Sequence, residues 1–246
     1  MKNILSSVGF HFALAFIVRL VFTFYGLFHD AYCEQSTENC PKYTDYDYRV
    51  FTDAANYVYE VRLWGFSKRC PWYLFNLLKG KSPYDRETYR YTPLLAIMLQ
   101  PNIWLWKGFG KLVFIAFDLL CGLAILKINT SNRLASICFW FYNPITIIIS
   151  SRGSAESIMS FIVLAFLWSF EQRNYFQAGF LYALAIHFKI YPLIYSLAIV
   201  FNLCNSVSED AGGILSKVWV LLQRALKFGV TFIGTLTALT YYFYYK

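Results

Sequence analysis

The sequence has few charged residues for its length. Only 15% of its 246 residues are charged, whereas 58% are hydrophobic and 21% are aromatic. Soluble domains have about 25% charged and roughly 45–50% apolar residues. The composition therefore excludes an ordinary soluble domain and predicts an all-α polytopic membrane protein. The net charge of +8 does not indicate a nucleic-acid partner, because the basic residues lie at the ends of apolar runs, where they set membrane topology.

Other absences exclude further classes of protein. The six cysteines include no CxxC pair and no Cys/His spacing suited to zinc. The apolar segments show no internal repeat and few ionisable residues, which argues against a transporter. Cys33 and Cys40 are placed to form a disulfide if their compartment is oxidising, and the sequence leaves their redox state open.

Long apolar runs are what the sequence has in excess. The first covers residues 8–28, enough to cross a bilayer as a helix, and no small-residue cleavage site follows, so we expect a retained signal anchor. Further apolar runs complete about seven spans in a single transmembrane domain over residues 1–246. They cover residues 112–128, 135–150, 155–170, 176–188, 192–203 and 228–244.

Residues 29–111 form a long polar and aromatic segment between the first two spans. Basic residues in several later connections place it on the side of the membrane opposite the N-terminus. Apolar residues recur at helical spacing from Val50 to Val58, which predicts an amphipathic helix over about residues 48–61, lying on the membrane surface. A second apolar run, from Pro93 to Leu99, is too short to span.

Two aspartates precede this helix, in Tyr-Thr-Asp-Tyr-Asp-Tyr at residues 43–48. Asp45 and Asp47 are two residues apart, so an extended backbone points both to one side. They are either solvated loop carboxylates, with Asp47 as the helix N-cap, or a catalytic pair. In the second interpretation one removes a proton from an incoming hydroxyl while the other orients it or binds a cation.

Three further polar stretches carry basic side chains on the same predicted face. Arg90 and Tyr91 lie in Arg-Glu-Thr-Tyr-Arg-Tyr-Thr-Pro. Arg152 lies in Ser-Ser-Arg-Gly-Ser, where a guanidinium fork and a glycine suit phosphate binding; the alternative is contact with lipid phosphate. His187 and Lys189 either neutralise a leaving phosphate or lie at the interface with the lysine snorkelling.

Two charges fall inside predicted spans, Arg19 in the first and Asp118 in the second. Each alone would cost about 2.5–3.5 kcal/mol on insertion scales. Their distances from the far ends of the two spans place them within about 5 Å of the same depth at 1.5 Å per residue. We therefore predict a structural ion pair between them.

Taken together and in order, the motifs resemble one family. They read Tyr-Thr-Asp-x-Asp-Tyr, Ser-Pro-Tyr, Thr-Tyr-Arg-Tyr-Thr-Pro-Leu-Leu, Pro-Asn-Ile, Phe-Gly-Lys-Leu, Asn-Pro, Ser-Ser-Arg-Gly and His-x-Lys-Ile-Tyr-Pro. From about Phe10 onward the chain resembles the GPI mannosyltransferase 1 family. The resemblance implies a GT-C-like helical bundle in the endoplasmic-reticulum membrane, multi-pass, with residues 29–111 as a long first lumenal loop that carries amphipathic surface helices and the active site.

The resemblance also implies a reaction and its participants. The family transfers mannose from dolichyl-phosphate mannose, in α1,4 linkage and with inversion, to glucosaminyl-(acyl)phosphatidylinositol during GPI-anchor biosynthesis. Asp45 and Asp47 would occupy the D-x-D position, with the choice of base left open. No metal is required, although a divalent cation at the aspartate pair is compatible with the chemistry. The other partners implied are membrane lipids and a single-span accessory subunit. The candidate substrate-binding residues are Arg49, Arg90, Tyr91, Arg152, Glu156, His187 and Lys189.

The chain also departs from the family pattern. Residues 62–80 form an insertion in the first lumenal loop, and Ser154 and Glu156 stand where the pattern has asparagine and aspartate. The family continues for several more spans beyond the last residue of this sequence. We therefore expect a C-terminally truncated member, and the alternative function is that of a catalytically inactive paralogue or interaction protein.

Overall fold

The computed structural model describes residues 7–36, 40–64, 82–210 and 213–244. Within these ranges the secondary structure consists of helices without strands, which confirms the predicted all-α class. The chain divides into two compact units, Met1–Phe161 and Ile162–Tyr245. The insertion predicted over residues 62–80 lies outside the described residues from residue 65 onward.

The described residues of the first unit form seven helices and the start of an eighth. A 3-10 turn, Pro83–Asp85, precedes the helix that begins at Pro93. The helices are α1 (Val8–Gln35), α2 (Tyr46–Trp64), α3 (Pro93–Met98), α4 (Pro101–Trp104), α5 (Phe109–Ile128), α6 (Arg133–Phe141), α7 (Pro144–Arg152) and α8 (Glu156–Glu171).

The first predicted span forms a helix that is longer than the apolar run. α1 continues to Gln35 rather than ending at residue 28, and the backbone N–H of Ser36 donates to the carbonyl of Tyr32 in its last turn. Cys33 lies in this extension and forms a disulfide with Cys40. The helix end and the following loop are therefore joined covalently, just ahead of the aspartate pair.

Two of the described helices, α1 and α5, are long and apolar enough to cross a membrane. The run predicted as one span over residues 135–150 is instead divided into α6 and α7, which bend by 53° and would add a third span only as a broken pair. The break occurs where Asn143 caps α7 through a 2.9 Å bond from the backbone N–H of Ile145, followed by Pro144, whose ring cannot continue a helix from α6. The total of about seven spans in one transmembrane domain stays a prediction.

A buried ion pair joins three helices of the first unit, as the sequence predicts. Arg19 Nε donates to Asp118 Oδ2, and both residues are buried. Arg19 Nη1 also donates to the carbonyls of Ala15 at 3.1 Å and Phe141 at 3.2 Å, while Trp140 Nε1 donates to Asp118 Oδ1 at 2.8 Å. The network satisfies most of the polar atoms that would otherwise be orphaned among apolar helices.

The second unit contains the rest of α8 together with α9 (Tyr175–Phe188), α10 (Ser196–Asp210) and α11 (Ile214–Tyr244). A 3-10 turn, Tyr191–Tyr195, links α9 to α10. α9 packs closely on α11 at Gly179, where an added Cβ would lie 2.6 Å from the carbonyl oxygen of Phe228. The core is largely aromatic and includes Phe166, Phe170, Tyr182 and Phe228.

Candidate active site

The aspartate pair lies at the N-terminus of α2. The helix begins at Tyr46, so Asp45 occupies the N-cap position and Asp47 lies in the first turn. The Asp45 carbonyl accepts a 3.2 Å bond from the N–H of Tyr48, and its Oδ1 receives a long 3.5 Å contact from the N–H of Asp47. The interpretation of Asp47 as the N-cap is therefore wrong, because the helix starts earlier than the apolar pattern indicated.

The apolar face predicted for α2 is buried in the structure. Its side chains turn toward the first unit, with relative exposure of 3% or less. The predicted amphipathic helix is therefore confirmed, whereas its placement on the membrane surface stays a prediction. The buried face fixes the orientation of the first turn and hence of the aspartates. The buried residues are Val50, Phe51, Ala54, Ala55 and Val58.

Tyr91 connects a second predicted cluster to the aspartates. Its hydroxyl donates to Asp47 Oδ2 at 2.5 Å, and its ring meets Phe51 edge-on with centroids 4.6 Å apart. Burial, followed by this hydrogen bond and the negative charges of Asp47, Glu156 and Asp45, raises the pKa of Tyr91. The tyrosine therefore remains a protonated donor at neutral pH, and the three carboxylates lie within electrostatic range of its hydroxyl.

The C-terminus of α7 lies against the loop that precedes the aspartates. The N–H of Asp45 donates to the carbonyl of Arg152 at 3.0 Å, and Arg152 Nε donates to the carbonyl of Tyr43 at 2.9 Å. The Tyr43 hydroxyl is 2.8 Å from Ser151 Oγ. These bonds bring the Ser-Ser-Arg-Gly and D-x-D segments together, although 107 positions separate Asp45 from Arg152 in the numbering.

Gly153 allows this close approach. Its φ of 92° is in the left-handed region, and an added Cβ would lie 2.6 Å from the ring of Tyr48. The Tyr48 hydroxyl donates to the carbonyl of Lys107 at 2.7 Å, and burial raises the pKa of Tyr48 to about 12. The Tyr48 ring thus packs between the end of α7 and the segment that leads into α5.

Two charged residues that sequence reasoning missed also hold this loop. Asp30, near the end of α1, accepts backbone bonds from Tyr43 at 2.6 Å and Thr44 at 3.1 Å. Lys111, in the first turn of α5, donates from Nζ to Thr44 Oγ1 at 2.7 Å. The only sequence signal for Lys111 was its place in the Phe-Gly-Lys-Leu motif, and Asp30 had none beyond its position after an apolar run.

The remaining predicted site residues are distributed less tightly. Arg49 on α2 and Arg90 ahead of α3 are exposed, and Glu156 begins α8. His187 and Lys189 belong to the second unit, where the His187 ring stacks on Phe243 with centroids 5.5 Å apart. Their roles in substrate binding stay predictions.

One cluster in the described part of the chain has metal-ligand chemistry. His29, Cys33 and Cys40 have side-chain donor atoms within 4.8 Å of one another. Because Cys33 and Cys40 are joined as a disulfide, they do not offer thiolates, which are the form of cysteine that binds metals. That the reaction requires no metal, with a divalent cation at Asp45 and Asp47 as the alternative, stays a prediction.

Comparison with known proteins agrees with the resemblance seen in the motifs. Residues 149–246 match the family model described as Mannosyltransferase (PIG-M). The chain is 38% identical to GPI mannosyltransferase 1 of Eremothecium gossypii, over 93% of this chain and 50% of the relative. The Saccharomyces cerevisiae protein of the same name is 39% identical over 90% of this chain and 50% of its own length. The Candida albicans protein of the same name is 34% identical over 98% of this chain and 57% of its own length. The chain thus spans about half the length of the curated relatives it matches.

Proposed function

The chain belongs to the PIG-M family of GPI mannosyltransferase 1 proteins, and from this membership we propose that it is a glycosyltransferase that adds mannose to a GPI precursor. The donor is dolichyl-phosphate mannose, and the acceptor is glucosaminyl-(acyl)phosphatidylinositol, mannosylated in α1,4 linkage. The observation that carries the proposal is the hydrogen-bonded assembly of Asp45, Asp47, Tyr91 and Arg152, which joins three of the family-like motifs at one place.

The proposed chemistry is a single inverting displacement. A carboxylate takes the proton of the acceptor's 4-hydroxyl, the oxygen attacks the anomeric carbon of mannose, and the bond from that carbon to the phosphate oxygen breaks. We assign the base to Asp45, because its N–H is anchored on the Arg152 carbonyl, whereas Asp47 already accepts the Tyr91 hydroxyl on Oδ2. Asp47 is then the orienting residue.

Arg152 is the best-placed cation for the leaving phosphate. Its Nε is bonded to the Tyr43 carbonyl, which orients the planar guanidinium, and a guanidinium pairs well with phosphate oxygens. Arg49 and Arg90 are exposed at the same unit and suit the phosphate groups of the lipid-linked substrates. For His187 and Lys189, roles in substrate binding stay predictions.

The proposed location is the endoplasmic-reticulum membrane with the aspartates facing the lumen. The Cys33–Cys40 disulfide supports an oxidising compartment for the end of α1. Membrane lipids surround the spans, and a single-span accessory subunit is the proposed protein partner. The alternative is a catalytically inactive paralogue or interaction protein.

Complementation of cells that lack the first GPI mannosyltransferase tests the proposal. We expect the wild-type chain to restore GPI-anchored proteins at the cell surface, and Asp45→Ala and Asp47→Ala to abolish this at equal expression. Asp85→Ala is the matched control, because Asp85 is exposed in the 3-10 turn and should leave restoration intact. Failure of the wild-type chain would instead support the inactive form.

A further inference from the structure

We propose that Lys111 is a positioning residue that holds the loop carrying Asp45 through a hydrogen-bond relay over Thr44 to Asp30. This inference rests on the proposed role of Asp45 as base. The buried Lys111 has no part in the proposed displacement reaction itself. A lysine inside an apolar helix is costly to bury, so its presence in the first turn of α5 requires a compensating interaction.

The surroundings of Lys111 identify that interaction. The residue has 0% exposure, and its ammonium donates to Thr44 Oγ1 at 2.7 Å. The ammonium also lies 5.7 Å from the ring centroid of Tyr48 and 6.0 Å from that of Tyr43, within the range of cation–π attraction. These contacts place the charge between an aromatic ring of the loop and one in the first turn of α2.

Thr44 passes the interaction on to a carboxylate. Its Oγ1 accepts from Lys111, and its backbone N–H donates to Asp30, whose negative charge also attracts Lys111. Thr44 thus joins a buried cation to an anion, and hydrogen bonds to ionised groups are stronger than those between neutral groups. Arg152 adds like-charge repulsion to Lys111, which the Asp30 charge offsets.

The relay acts on the residue next to the proposed base. Asp30 accepts the N–H groups of Tyr43 and Thr44, and the N–H of Asp45 donates to Arg152. Three successive amides are therefore bonded to groups outside the loop, and Lys111 stabilises the Asp30–Thr44 part of that arrangement. Loss of the relay would free the backbone that sets the position of the Asp45 carboxylate.

Hydrogen–deuterium exchange of the full chain in detergent tests the relay without requiring activity. We expect Lys111→Met and Thr44→Val to speed exchange of the amides of residues 43–45 about tenfold, the effect of losing one charged hydrogen bond. Thr44→Ser keeps the hydroxyl and should remain near wild type. Lys107→Met is the matched control, because Lys107 is exposed one turn earlier. The double variant should exchange no faster than either single variant, since both break one relay.

Transfer kinetics in microsomes then separate positioning from substrate binding. Lys111→Met and Thr44→Val should lower kcat about tenfold and leave KM for dolichyl-phosphate mannose unchanged, because only the proton-transfer geometry is altered. Unchanged exchange in both variants, or a rise in KM with constant kcat, would overturn the proposal. If the wild-type chain transfers no mannose, the proposed function fails, while the exchange rates still decide whether the relay holds the loop.

Discussion

The hydroxyl of Tyr91 donates to Asp47 Oδ2 at 2.5 Å, across 44 positions of sequence. This bond joins the segment before α3 to the first turn of α2. Because the Tyr91 ring also packs on the buried Phe51, the donor has a fixed direction. The second carboxylate of the D-x-D pair is therefore oriented by a protein group before any substrate is present.

Removal of this donor should reduce catalysis more than stability. We expect Tyr91→Phe to lower kcat about tenfold, since a hydrogen bond to a charged group contributes about 1.5–3 kcal/mol, while the retained ring keeps its packing. Tyr84→Phe, at an exposed tyrosine, is the control for the same chemical change. Equal kcat in the two variants would mean that Asp47 does not depend on Tyr91.

The buried pair of Arg19 and Asp118 should dominate the stability of the first unit. We expect Asp118→Asn or Arg19→Gln to lower the free energy of unfolding by about 3–5 kcal/mol, because each leaves an uncompensated buried charge. The double variant should lose much less free energy of unfolding than the two single variants lose together. Detergent unfolding of all four forms measures this coupling, and additive losses would contradict it.

A surface pair provides the comparison for that cycle. Arg86 Nε lies 3.0 Å from Asp53 Oδ2, with both side chains partly exposed. Solvent screens such pairs, so the corresponding cycle with Arg86→Gln and Asp53→Asn should show little coupling. A large coupling energy between Arg86 and Asp53, with none between Arg19 and Asp118, would contradict the assignment of Arg19 and Asp118 as the structural ion pair.

Gly153 should not tolerate a side chain. Gly153→Ala places a Cβ at φ 92° and 2.6 Å from the Tyr48 ring, so we expect a loss of about 1–3 kcal/mol of unfolding free energy together with reduced transfer. In contrast, Gly229→Ala meets no atom within 4 Å in α11 and should be neutral or stabilising, because alanine favours helix. Thermal unfolding and transfer activity, measured for both variants, test whether only Gly153→Ala loses stability and activity.

Chelation tests the predicted lack of a metal cofactor. Cationic side chains such as Arg152 are expected to neutralise the leaving phosphate, so transfer should persist in excess EDTA. Loss of activity on chelation, with recovery on addition of Mn²⁺ or Mg²⁺, would instead assign a divalent cation to Asp45 and Asp47.

Sequence patterns predicted the elements governed by periodicity and by burial cost. The apolar spacing from Val50 to Val58 predicted the buried face of α2. The free-energy cost of inserting an isolated charge into the membrane predicted the pairing of Arg19 with Asp118. Both rules act on local composition or on a single strong energy term. They therefore succeed without knowledge of the remaining fold.

The same patterns missed features that depend on long-range packing. Lys111 and Asp30 are single charges at the ends of apolar runs, where sequence alone indicates topology or interface, and only the fold shows that both reach Thr44. The break before Pro144 was missed because hydropathy stays high across it. Asp45 rather than Asp47 caps α2 because contacts with Arg152 set where the helix begins.

Mannose transfer with Asp45 as the base can be measured in microsomes from cells that lack the first GPI mannosyltransferase, supplied with labelled dolichyl-phosphate mannose and glucosaminyl-phosphatidylinositol. We expect a labelled mannosylated lipid with the wild-type chain and with Asp85→Ala, and none with Asp45→Asn at equal expression. Absence of product from the wild-type chain, under conditions in which a full-length relative forms it, would contradict the proposed transfer, and full activity of Asp45→Asn would contradict the role of Asp45.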